Sequence, residues 1–98
     1  MVAAPAMAQL VSVEISYPPA ELKAGIQGVT GFEVDLAKNG KVIRCRITQT
    51  SGNANLDKQT CIQLRETGVF KPGVDATGQP IKSTYESKLH WTIPRPTP

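Results

Sequence analysis

Cys45, Cys61 and His90 are the first residues to weigh, because a nucleophile, a metal ligand or a proton carrier would be found among them. The two cysteines are the only ones in the 98-residue chain. They do not form a Cys-x-x-Cys redox motif. A zinc site would need further ligands, and His90 is the single histidine. Two readings stay open. One is a disulfide, worth about 3 kcal/mol for a closure of this length. The other is a pair of buried thiols behaving as small hydrophobes. His90 has Glu86 and Lys88 as neighbours in an alternating run. They form either an acid/base couple or part of a solvated strand face. Ser51-Gly52 lacks the frame of a nucleophile elbow. Gly28-x-x-Gly31 lacks a third glycine and precedes a strand-like run. Asp57 falls in the first turn of a predicted helix, where a carboxylate suits the dipole. Asp75 and Glu21 have no partners legible in the sequence. No metal cluster or catalytic constellation emerges, so the expectation is a non-enzymatic domain with no cofactor.

The elements that carry these residues are readable from periodicity. Pro19 suits the first turn of a short helix, AELKAG, ended by Gly25. Phe32, Val34 and Leu36 alternate with Glu33 and Asp35, and Ile43, Cys45 and Ile47 alternate with Arg44, Arg46 and Thr48. Asn39-Gly40 between them predicts a hairpin, since both residues tolerate positive φ, with one shared buried face. A helix is expected over about Asn55 to Thr67, with Leu56, Thr60 and Leu64 on one stripe. Asn53 or Asn55 would cap it and Gly68 would stop it. Val69-Phe70 then anchors a turn-rich loop. From Ile81 to Ile93 the chain alternates again, with Lys82, Thr84, Glu86, Lys88, His90 and Thr92 on the polar side.

A hairpin, a crossover helix and a last strand give an α+β domain in the order α-β-β-α-β. It is a small two-layer domain: a three-stranded antiparallel sheet with two helices on one face. The last strand then lies at an edge. In this arrangement Cys45 points toward the covering helix, and Cys61 lies near that helix's sheet-facing side.

Composition narrows the function classes. Hydrophobic residues make up 40% and charged residues 19%, which suits one folded domain. The net charge of +3 is dispersed, without a basic run interleaved with aromatics, so nucleic acid is not an expected partner. No run approaches the ~20 apolar residues of a membrane span. Ala6-Met7-Ala8 before Gln9 suits the end of a secretory signal peptide. Residues 1–11 are therefore expected to be a signal remnant or linker outside the fold. The domain would occupy 12–94, followed by a Pro-rich tail at 95–98.

The ordered set Tyr17-Pro18, Gly28, Asn39-Gly40-Lys41-Val42, Ser51-Gly52, Leu56-Asp57, Phe70-x-Pro72 and Gly78-x-Pro80 resembles the C-terminal domain of the TonB energy-transducer family. The resemblance spans about Tyr17 to Ile93. It implies a Gram-negative periplasmic domain, either secreted or anchored in the inner membrane. It also implies pairing of the last strand with the TonB box of an outer-membrane receptor, and work with the ExbB–ExbD motor. Import of iron chelates, vitamin B12 or other scarce solutes would follow. On this reading Thr84, Glu86, Lys88 and His90 are candidates for side-chain contacts, while Tyr17 and Pro18 position the peptide. Three features depart from the family pattern. The best-studied members carry Gln-Pro-x before the Tyr-Pro pair, where this chain has Glu14-Ile15-Ser16. The membrane helix and long Pro-rich spacer are not in this sequence, and the cysteine pair is not a general family feature. An alternative is a free-standing periplasmic scaffold that forms a homodimer through its edge strand.

Overall fold

The computed structural model describes residues 6–93. Its elements are β1 (Gln9–Ser12), α1 (Pro19–Ala24), β2 (Gly28–Leu36), β3 (Val42–Gln49), α2 (Ala54–Thr67), β4 (Val69–Lys71) and β5 (Ser83–Trp91). Alternation along β2 buries Phe32, Val34 and Leu36, and this strand is the centre of a sheet ordered β3-β2-β5. Both pairings are antiparallel. The two-layer α+β architecture agrees with the periodicity.

The hairpin forms at Asn39-Gly40 as expected, with the glycine alone in the left-handed region among the turn residues. Gly40 has φ 85°, and among the described residues no non-glycine residue has positive φ. The Gly40 N–H donates to the Ala37 carbonyl at 2.9 Å, and the Ala37 N–H donates to the Lys41 carbonyl at 2.9 Å. This is the three-residue loop that ends in a left-handed glycine. Asn39 keeps negative φ and uses its side chain to accept the Lys41 N–H at 3.0 Å. A β-bulge follows: Asp35 faces Arg44, yet Leu36 faces Val42. Val42 therefore packs against the core. Ile43, expected on the buried face, is instead 58% exposed.

Helix α2 starts where the Asn53 side chain accepts the Leu56 N–H at 2.9 Å. It stops at Gly68, whose N–H reaches the Leu64 carbonyl at 3.0 Å. Leu56, Thr60, Gln63 and Leu64 form its buried stripe. Cys45 on β3 is bonded to Cys61 on α2, with a Cα–Cα distance of 5.7 Å. Of the two readings left open, the staple between helix and sheet is the one present. The short α1 begins at Pro19 and ends at Gly25, which is left-handed at φ 71°.

The N-terminal residues differ from expectation. Residues 6–11 belong to the fold rather than to a detached tail. Gln9 pairs with Lys71 and Leu10 with Phe70, making a second, two-stranded sheet of β1 and β4. Ala6 bridges Val74. The cause is apolar contact: Ala8 and Phe70 belong to the core, and Leu10 packs against it. Past β1, the extended chain is held by α2 side chains. Thr67 exchanges hydrogen bonds with both backbone groups of Glu14. Gln63 does the same for Ser16. Residues 1–5 and the tail at 95–98 lie outside the described residues.

Candidate functional site

β5 is bonded on one side only. It pairs with β2 at nine consecutive positions, from Gly28 opposite Trp91 to Leu36 opposite Ser83. Its other side meets no strand among the described residues. Alternate residues therefore point backbone N–H and C=O groups outward, unpaired within the sheet.

Side chains on β5 alternate as the sequence requires. Tyr85 and Leu89 pack against the core and Trp91 is buried. Thr84, Glu86, Lys88 and His90 are all exposed, in one row on the solvent face. Glu86 and His90 are four strand residues apart, about 13 Å, and no hydrogen bond joins them. That spacing makes the row a solvated face rather than an acid/base couple. Across the same face Arg46 pairs with Glu33 and lies 3.3 Å from Asp35.

Tyr17 and Pro18 sit at the C-terminal end of this edge. The Tyr17 ring meets Trp91 edge-on at 5.3 Å, and its hydroxyl donates to the Ile26 carbonyl. Pro18 is buried, and its carbonyl accepts the Leu22 N–H at 2.9 Å, opening α1. Both are occupied in internal contacts: Tyr17 buttresses the end of β5 and Pro18 opens α1. Trp91 completes the buttress by donating from Nε1 to Thr60 Oγ1 at 3.1 Å. The sequence placed Trp91 on the inner face but gave no sign of this bond.

Asp57 does more than favour a helix dipole. Its carboxylate accepts from Thr30 Oγ1 at 3.1 Å, Thr50 Oγ1 at 2.5 Å, and Ser51 N and Oγ at 2.9 and 2.8 Å. Partial burial pushes its pKa up, but the bonds from Thr50, Ser51 and Thr30 outweigh that and hold it below the ordinary value of 3.8. A depressed carboxylate contributes stability above its unfolded pKa, and that contribution is lost as pH falls through the folded value. Thermal midpoints should thus fall as pH drops below about 4. Asp57→Asn should lower the midpoint at neutral pH and flatten that acid slope. A variant slope equal to the wild-type slope would contradict this role.

The other two acids noted in the sequence also find partners. Asp75 Oδ1 accepts from the N–H groups of Thr77 and Gln79, closing the loop before β5. Glu21 is buried and accepts from Asn55 Nδ2 at 2.9 Å. No group of three or more potential metal ligands occurs among the described residues. Nor is any described helix long and apolar enough to cross a membrane.

The family model for the Gram-negative bacterial TonB protein C-terminal matches residues 13–93. The chain belongs to the TonB C-terminal domain family. The solution NMR structure of the Pseudomonas aeruginosa TonB CTD is similar in fold, with a TM-score of 0.72 at 12% sequence identity. The match covers 92% of this chain and 90% of that one. No curated protein matches significantly. Membership in the TonB C-terminal family is consistent with TonB-dependent energy transduction, a role of interaction rather than catalysis. It also fits the periplasm of a Gram-negative cell.

Proposed function

We propose that this domain is a periplasmic coupling module that grips the TonB box of an outer-membrane receptor by adding it as a strand to β5. The open edge of β5 carries this reading, because an extended peptide can satisfy its outward N–H and C=O groups. Backbone bonds supply affinity, and Thr84, Glu86, Lys88 and His90 offer side-chain contacts beside the peptide. Tyr17 acts from behind, by holding Trp91 and the end of the strand, and Pro18 opens α1. Force for import of a scarce solute reaches the domain from its N-terminal side, through an anchor working with the ExbB–ExbD motor.

Proline scanning tests the reading. Neighbouring strand residues point their N–H groups to opposite sides. Of Glu86→Pro and Ser87→Pro, one removes a bond to β2 and the other removes an outward donor. The outward variant should stay folded and lose at least tenfold in affinity for a TonB-box peptide. Unchanged affinity in the folded variant would refute strand addition. The same open edge suits a second copy of the chain, giving the scaffold reading. Concentration-dependent sedimentation without peptide affinity would favour that alternative.

A further inference from the structure

At the hairpin end of the sheet lies a cavity of about 320 Å³, between the bulge of β3 and the start of β5. Its walls include Asp35, Ile43, Arg44, Lys82 and Thr84. Ile43 is there because of the bulge, which leaves this aliphatic side chain 58% exposed. Arg44 reaches the cavity from β3, and Lys82 from the residue just before β5. Neither makes an ion pair among the described residues, whereas Arg46 pairs with both Glu33 and Asp35. Arg46 is shared between two carboxylates, so the acid on the cavity wall is only partly balanced. With Arg44 and Lys82 against Asp35, the cavity still carries an excess of positive charge beside an exposed isoleucine.

We infer that this cavity is a second contact for the peptide that pairs with β5, and that it takes an acidic residue adjacent to an aliphatic one. The inference rests on the proposed strand addition. A strand added to β5 lies about 4.8 Å from it, and one of its ends emerges beside Lys82 and Thr84. From there the chain reaches the cavity by crossing the end of the sheet. The aliphatic side chain covers Ile43, and the carboxylate sits between the Arg44 guanidinium and the Lys82 ammonium. Main-chain pairing reads no side chains, so this cavity adds sequence preference to whatever the solvent-face row of β5 supplies.

The test uses two synthetic receptor-type peptides that differ only by Glu→Gln in the acidic position, titrated into wild-type protein and into Arg44→Gln/Lys82→Gln. Amide shifts in β5 report strand addition, and those of Ile43 and Arg44 report the cavity. The expected result is a loss of about three- to tenfold for the Glu peptide in the variant. The Gln peptide should bind both proteins alike, and β5 should respond throughout. Ile43→Ser should weaken both peptides. Equal affinity of the Glu peptide for wild type and variant, with β5 still responding, overturns the cavity and leaves strand addition standing. No response in β5 to either peptide overturns both.

Discussion

Trp91→Ala should cost about 3–5 kcal/mol of folding stability, the usual range for removing a buried aromatic. A domain of this size holds about 5–15 kcal/mol in all, so the loss removes a large share. Trp91 is 1% exposed. Its ring takes the edge contact of Tyr17, and its N–H fills the Thr60 hydroxyl, which itself donates to the Leu56 carbonyl. Truncation therefore opens a cavity where β5, α2 and the Tyr17 segment meet. Trp91→Phe keeps most of the apolar area and loses one hydrogen bond, a cost nearer 1 kcal/mol from the bond itself. Urea unfolding of the three proteins measures the difference. A cost under 1 kcal/mol for the alanine variant would mean that the junction is not what holds the end of β5.

Removing the Cys45–Cys61 bond, by reduction or by double substitution to serine, should cost about 3 kcal/mol. For a domain of this length that lowers the thermal midpoint on the order of 10–20 °C. The loss acts mainly on the unfolded chain, which regains the freedom of the loop between the two cysteines. The bond joins β3 to α2, on the side of the sheet away from β5. Peptide affinity should accordingly be unchanged at temperatures well below the lowered midpoint. A fall in affinity while the protein is still folded would mean that the staple shapes the edge and does not merely stabilise the domain.

Which features were legible in the sequence follows from how local their causes are. Strand β2, the Asn53 cap, the Gly68 stop and the row on β5 each depend on residues a few positions apart, so periodicity and capping reveal them. β1 depends on a partner about 60 residues away that is only three residues long, and its own four residues carry no turn signal. The bulge at Ile43 comes from hairpin geometry: Asn-Gly marks a turn, but whether Asn39 adopts positive φ is decided by the surrounding packing. At the candidate site, the exposed row of Thr84, Glu86, Lys88 and His90 was readable. The contact of Tyr17 with Trp91 and the burial of Pro18 were not, because edge-on aromatic contact and burial depend on how separate elements pack. The web on Asp57 is of the same kind, since it gathers Thr30, Thr50 and Ser51 from β2 and the β3–α2 connection. The family itself was readable because its ordered motifs run through nearly the whole domain, and the match over residues 13–93 agrees with that.

Strand addition to β5 is tested most directly by an NMR titration of the oxidised domain with a TonB-box peptide, following backbone amides. The predicted result is a set of shifts concentrated in Ser83–Trp91 and around Tyr17, with little change in β3 beyond the cavity residues Ile43 and Arg44, or on the face of α2 opposite the sheet. Intact spectra with no shifts in β5, across several such peptides, would contradict the central claim.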